Sequence, residues 1–480
     1  MEGPSVFPPR GKRAPAKQEP TLAARSGAEG IPVVHGREDV KAFSSGGPFI
    51  DGFALSIIGV ALITLEPAMD LSATEIGLIG AASLVGIFVG GGVFGYVTDK
   101  IGRHVMYIAD LVALAVFSVL SAFCGEAWQV ILLRFLLGVA IGADYPIATS
   151  LLAEFLPKRQ RGRLLGAMFV VWAVGAAAAY VVGFFARGLG PDAWRFLLAS
   201  PAIFAIITLL ARMGTPESPR WLMSKGRMAE ADASIKRVFG EQYGVADLPE
   251  EPVVSTSFFR VFQKPYLRRT IFVAIFWTAQ VIPLFAVYTF APDLLESFGL
   301  YGDANLYGGS LLIAILFVVG GIPGLWLVEK IGRRKLLIGS FAIIVVALAV
   351  PALIPDVSAK IFFLALAVFA ISSGASSFLE VVYPNELFPT EVRATAVGMG
   401  TAISRIGSAA GTYLMPMALV TFGAGGALMI GAVVTLVGLV ASLFLAPETR
   451  GASLTDTASK TESEEVEKSA EPDPAPVTRA

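Results

Sequence analysis

Cysteine and histidine are almost missing from this chain. There is one cysteine, Cys124, and there are two histidines, His35 and His104, in 480 residues. A lone cysteine closes no internal disulfide, and so few soft ligands leave no cysteine- or histidine-built metal site. No nucleophile–base constellation is visible, and no GxxxxGK[ST] loop that would cradle nucleotide phosphates. The sequence therefore carries no mark of an enzyme and calls for no cofactor. Charge is scarce as well, at 16% of residues against a usual ~25%. The formal net charge of −1 offers no basic face to a nucleic acid. Residues 1–46 contain no apolar run long enough for a signal-peptide core.

What is abundant is apolar. Hydrophobic residues make up 55%, glycines number 50, and the mean hydropathy is +0.69. From Pro48 onward the sequence falls into twelve apolar runs, each near the roughly 20 residues that cross a bilayer as a helix. They cover 48–66, 74–97, 104–124, 127–153, 163–186, 193–213, 268–292, 307–329, 333–354, 359–382, 391–421 and 424–446. The eleventh is long and holds Pro416, which predicts a tilt or kink. Five segments follow: a disordered leader (1–46), a first half (47–213), a linker (214–267), a second half (268–450) and a disordered acidic tail (451–480). The linker mixes Trp221, Leu222, Ile235, Val238 and Phe239 with basic residues, which predicts short amphipathic helices.

Charge is informative through its location. Lys100 and Arg103 follow the second run, Lys158, Arg159, Arg161 and Arg163 the fourth, and Lys330, Arg333, Arg334 and Lys335 the eighth. The turns after the first and seventh runs hold acids only (Glu66, Asp70, Glu75; Asp293, Glu296, Asp303). The bias of basic residues toward one side predicts two cytoplasmic termini and an even number of spans in the cell membrane. The charged turns also repeat. GYVTDKIGR (95–103) returns as GLWLVEKIGRR (324–334), and EFLPKRQRGR (154–163) returns as ELFPTEVR (386–393). Glu329 follows Asp99 by 230 positions and Glu386 follows Glu154 by 232. One chain with the same charged grammar twice is a duplicated bundle, the parallel-repeat plan of a rocking secondary transporter.

These turns resemble the signature loop of the major facilitator superfamily. RFLLGVAIG (134–142), PESPRWL (216–222), VEKIGRR (328–334) and PETRG (447–451) are similar to the sugar-porter-type signatures within it. The resemblance spans residues 48–451 and implies an all-α membrane protein with twelve transmembrane helices in two pseudo-symmetric six-helix halves. It also gives the turns a second role beside topology. Acids and arginines at neighbouring helix ends can form a cytoplasmic latch that holds one conformation and parts in another. The candidates are Asp99, Arg103, Glu154, Arg161 and Arg163 in the first half. Their counterparts are Glu329, Arg333, Glu386 and Arg393, with Glu217 and Arg220 in the linker and Glu448 and Arg450 after the last helix.

Ionisable groups inside the runs carry more information, because each is costly in lipid unless paired or wet. Asp51 and Arg134 match the first-helix aspartate and fourth-helix arginine of proton-coupled sugar porters. That resemblance makes Asp51 the proton carrier and Arg134 its tuner, since a nearby guanidinium favours the carboxylate; Asp51 as a solvated helix cap is the alternative. Asp144 and Tyr145 stand in GADYP, similar to the GGDYP of phosphate–proton symporters, and read as cavity residues or as a hydrogen-bonded pair within the helix. That family's seventh-helix aspartate, four residues after a tryptophan, is absent: Val281 stands at that distance from Trp277. Gln280 is the one amide in this aromatic seventh helix, where sugar porters use several. Arg405, in TAISRIGSAAG, resembles the eleventh-helix arginine of organic-ion transporters and faces either a substrate anion or Glu380. Trp277, Gln280, Glu380 and Arg405 complete the expected cavity with Asp144 and Tyr145.

The expectation is a monomeric, lipid-embedded, proton-coupled alternating-access transporter of a small polar metabolite, an organic anion or sugar-like solute. Proton-antiport efflux of a drug-like compound and a non-transporting nutrient sensor are the alternatives. The partners are the small-molecule substrate, protons and lipid, with no nucleic acid.

Overall fold

The computed structural model describes residues 36–155, 161–213, 216–247, 258–354, 357–388 and 390–450. The leader to residue 35 and the tail from 451 lie outside it. Ten stretches among the described residues are long and apolar enough to cross a membrane. Two of these, Met168–Arg212 and Thr395–Leu445, run 45 and 51 residues, about twice the length one crossing needs. Each is broken at a glycine in the left-handed φ region, Gly190 (φ 78°) and Gly423 (φ 69°), where the chain reverses. The result is a twelve-helix major facilitator fold.

The first half comprises α1 (Gly36–Met69), α2 (Ala73–Ile101), α3 (Arg103–Ser121), α4 (Ala127–Phe155), α5 (Arg161–Ala186) and α6 (Ala193–Ala199 continued by Pro201–Arg212). The second half comprises α7 (Leu267–Thr289), α8 (Asp303–Ile331), α9 (Arg333–Leu353), α10 (Ala359–Ser377 continued by Leu379–Leu387), α11 (390–422) and α12 (424–445). Two short linker helices, Pro219–Ser224 and Met228–Phe239, lie between them. Phe123, Phe185, Trp326 and Phe444 are among the exposed apolar side chains. Such an outer surface suits a bilayer, where no solvent-driven burial is available.

Packing repeats along with the sequence. Helix α2 packs on α4, α1 on α5 and α3 on α6; in the second half α8 packs on α10, α7 on α11 and α9 on α12. In both halves the tightest seam is backbone against backbone. A Cβ on Gly138 of α4 would strike the Ser83 carbonyl of α2, and one on Gly374 of α10 would strike the Phe317 carbonyl of α8. Small residues at these crossings let the helices approach to van der Waals contact, the principal attraction left in lipid. Between the halves, α2 meets α11 and α5 meets α8, two contacts that exchange under the internal two-fold.

Gly138→Val should therefore cost on the order of 1–3 kcal/mol through overpacking, read as a lower melting temperature of the purified protein. Gly188→Ala, where an added Cβ meets nothing within 4 Å, should leave it unchanged. Equal melting of the two variants would refute the seam as a stability determinant.

Candidate functional site

At the end of the bundle that carries the charged turns, Gly102 and Gly332 join α2 to α3 and α8 to α9 with φ of 116° and 93°. A helix beginning immediately after such a turn exposes backbone N–H groups with no partner of their own. Carboxylates from more than a hundred residues downstream fill the need. Glu217 accepts from the backbone N–H groups of Arg103 (3.1 Å) and His104 (3.0 Å). Glu448 accepts from those of Arg333 (3.0 Å) and Arg334 (3.3 Å). Both acids, read from the sequence as latch members, are thus tied to helix N-termini, where a negative charge is also favoured by the helix dipole. Ser234, on the second linker helix, donates to the Glu217 carbonyl at 2.8 Å and joins the linker to the first of these caps.

The second-half turn also contains an ion-pair network. Arg333 donates to Glu386 through Nη2 (2.9 Å) and Nε (3.1 Å) and reaches Glu329 at 3.2 Å. The Thr449 hydroxyl donates to Glu386 at 2.5 Å. Arg393 donates to the Phe388 carbonyl at 3.0 Å, and the backbone N–H of Arg450 donates to Glu448 at 3.0 Å. All of these contacts lie within one half. The side chains of Asp99, Tyr145, Glu154, Arg161, Arg163 and Arg220 lie outside the described residues.

The halves touch at the opposite end. The Tyr180 hydroxyl of α5 donates to the Tyr288 carbonyl of α7 at 2.6 Å, and Gly77 of α2 lies against the Tyr413 carbonyl of α11. Inward of these contacts is a cavity lined from both halves by Ser56, Trp172, Tyr180, Phe285, Tyr288 and Phe317.

The buried ionisable groups of the spans fall into two sets, one in each half. In the second half, Trp277 Nε1 donates to Glu380 at 2.9 Å and Gln280 Nε2 donates to the Ser376 hydroxyl at 3.2 Å. The Arg405 guanidinium stands 5.4 Å from the centre of the Phe285 ring. It interacts electrostatically with Glu380 of its own half and with Asp51 of the other. Trp277, Gln280, Glu380 and Arg405 are therefore brought together, each at most 6% exposed.

In the first half, Arg134 donates to the Ala54 carbonyl at 2.8 Å, three residues from Asp51. Asp51 lies within electrostatic reach of Asp144, Arg212 and Arg405. Asp144 forms a buried ion pair with Arg212 at 3.2 Å. Sequence reasoning missed Arg212 and Asp110, which lies against Asp144. Arg212 ends a span and has the look of a flanking cation. Asp110, seven residues beyond Arg103 in the apolar MYIADLVAL, offered the same signal as Asp51: a lone acid inside a run.

A further group of acids lies at the end where the halves meet. Asp293 belongs to Ala291–Ser297, between α7 and α8. Burial, the Glu66 carboxylate of α1 and, more weakly, Glu296 push its carboxyl up to about 7.

Comparison with known proteins gives a consistent result. The family model described as "Sugar (and other) transporter" matches residues 36–460. The putative metabolite transport protein YaaU of Escherichia coli K12 is 42% identical over 422 residues, 88% of this chain and 94% of that protein. The inner membrane metabolite transport protein YgcS of the same strain is 39% identical over 417 residues, 86% and 92% of the two chains. Among solved structures, a partially occluded inward-open form of the xylose transporter XylE from E. coli superposes with a TM-score of 0.73 at 19% identity. The match covers 87% of this chain and 99% of that one.

The raised carboxyl at Asp293 has a definite sign. A folded protein that holds a proton the unfolded chain has released loses stability as pH rises. Melting temperature should fall between about pH 4, the ordinary aspartate range, and about 7. Asp293→Asn should flatten that slope, and an unchanged slope in the variant would assign the dependence elsewhere.

Proposed function

The chain belongs to the sugar (and other) transporter family, and from that footing we propose that it carries a small organic anion across the cell membrane together with a proton, by alternating access. The observation that carries this reading is Arg405, buried on α11 beside the central cavity and shared electrostatically between Glu380 and Asp51. An uncompensated guanidinium in such a place costs several kcal/mol. With Asp51 ionised, Arg405 has a counter-charge across the halves. When Asp51 takes up a proton that counter-charge disappears, and a substrate carboxylate can replace it. Proton and anion therefore bind best together, which is the condition for symport. We read both termini as cytoplasmic from the basic turns, which puts the Tyr180–Tyr288 and Gly77–Tyr413 contacts on the outer side.

A neutral hydroxylated solute is the second reading. It is favoured by Gln280 and Trp277 near the same cavity and by the xylose transport named for the structural neighbour. A single amide gives such a solute few fixed hydrogen bonds, and the reading makes no use of Arg405 beyond its relation to Glu380.

Two measurements decide. In proteoliposomes, Asp51→Asn should abolish accumulation driven by a pH gradient while leaving counterflow exchange; undiminished accumulation would remove Asp51 as the proton carrier. Arg405→Ala should weaken binding of carboxylate ligands by at least about tenfold, ~1.4 kcal/mol, with little change for neutral sugars. Equal losses for both classes would demote it to a structural role.

A further inference from the structure

The cavity between the halves is walled by rings. On α5, Trp172 stacks on Phe169 with centroids 5.6 Å apart and planes inclined by 29°. From the other half, Phe285 of α7 meets Trp172 edge to face at 6.2 Å, and Phe317 of α8 meets it at 6.5 Å. Phe317 in turn packs on Tyr288 of α7 at 5.2 Å. The backbone that carries Trp172 is tightly held. A Cβ on Gly52 of α1 would strike the Trp172 carbonyl, and one on Gly175 of α5 would strike the Phe49 carbonyl of α1. The indole therefore stands on a fixed base.

Polar groups in this wall are few, and the tyrosine hydroxyls are already committed. Tyr180 donates to the Tyr288 carbonyl at 2.6 Å, and the Tyr288 hydroxyl donates to the Ile313 carbonyl at 3.3 Å. Ser56 and Thr289 supply the remaining hydroxyls of the lining. Trp172 Nε1 is buried and has no acceptor among the described residues. A buried donor in that state is costly, and a ligand acceptor would satisfy it. A polyhydroxylated solute needs partners on every side; this lining suits a flat apolar body with a single acceptor to offer. Phe285 joins the wall to a charge, since the Arg405 guanidinium stands over the same ring at 5.4 Å.

We propose that the anion this protein carries is an aromatic carboxylate, its ring held against Trp172 between Phe285 and Phe317 and its carboxylate on Arg405. The proposal rests on the reading of Arg405 as the anion site and narrows the class of anion. In the present conformation the three rings fill the slot with one another. A ligand ring entering between them exchanges one aromatic contact for another of similar strength, so neither wall is left bare. Because Phe285 borders both the rings and the guanidinium, the carboxylate stands on the ligand ring itself or one carbon away from it.

Isothermal titration calorimetry of the purified full-length protein with benzoate, cyclohexanecarboxylate and acetate tests this. The first two carry the same charge on six-carbon rings, flat in one and puckered in the other. Benzoate should bind about fivefold tighter or more than its saturated counterpart, in line with the worth of an aromatic pair beyond its buried area. Acetate should bind more weakly than benzoate. Trp172→Ala should bring the two ring acids within about twofold of each other, the aromatic pair being gone. Trp172→Phe should keep the preference, which separates a lost ring from a lost fold. Equal binding of the two ring acids by the unaltered protein, or a preference undiminished in Trp172→Ala, would overturn the aromatic assignment and leave the anion reading standing. If none of the three acids binds, the anion reading fails and this assignment falls with it.

Discussion

Ionisable groups taken out of water between lipid-facing helices must find counter-charges, and the interior of this protein is arranged around that demand. Arg212 with Asp144, and Arg405 between Glu380 and Asp51, are two solutions at different depths. The first is closed within one half and can stay constant as the halves move. The second spans the halves, so it changes when they move. A transporter needs both kinds: a fixed electrostatic framework that survives rocking, and one open relation that does not.

The charged turns answer a separate demand, that of orphaned backbone. A sharp glycine turn starts α3 and α9 with unpaired N–H groups, and the chain returns a carboxylate to each from beyond the sixth or twelfth helix. Each half is therefore sewn shut by its own last element. In the second half the Arg333–Glu386 pair adds a direct tie between the α9 and α10 ends. These bonds hold each half together, so a latch between halves at this end would have to draw on groups other than the two capping glutamates.

Much of the fold was legible because bilayer thickness and the cost of charge write themselves into run length and turn composition. The breaks at residues 187–192 and 423 fell where the apolar runs at 163–186 and 391–421 ended. Candidate site residues were legible one at a time, as polar letters in apolar text, and only some of their partners were, such as Glu386 for Arg333. Asp144 resembled a motif residue beside Tyr145, yet its counter-charge is Arg212, 68 positions away at the foot of another helix. Glu217 and Glu448 resembled ion-pair acids because arginines adjoin them, but a one-letter string does not show which backbone groups lack partners. Arg134 kept its place near α1 while bonding to a carbonyl. Tertiary proximity decides such questions, and no local pattern encodes it.

The glycine seams have a mechanical consequence. Inside each half, seams such as Gly138 on Ser83 and Gly374 on Phe317 bring helices together backbone on backbone, with no flexible side chain at those crossings to absorb displacement. Between the halves the cavity walls are aromatic rings and long side chains, such as Trp172 against Phe285 and Phe317. Rings can slide and tilt over one another at small cost, whereas interlocked backbones cannot. The molecule is thus stiff where it must keep its ion pairs and lubricated where it must move. Its compliance is then concentrated where the two bodies face each other across the cavity, and that surface sets the resistance to their relative motion.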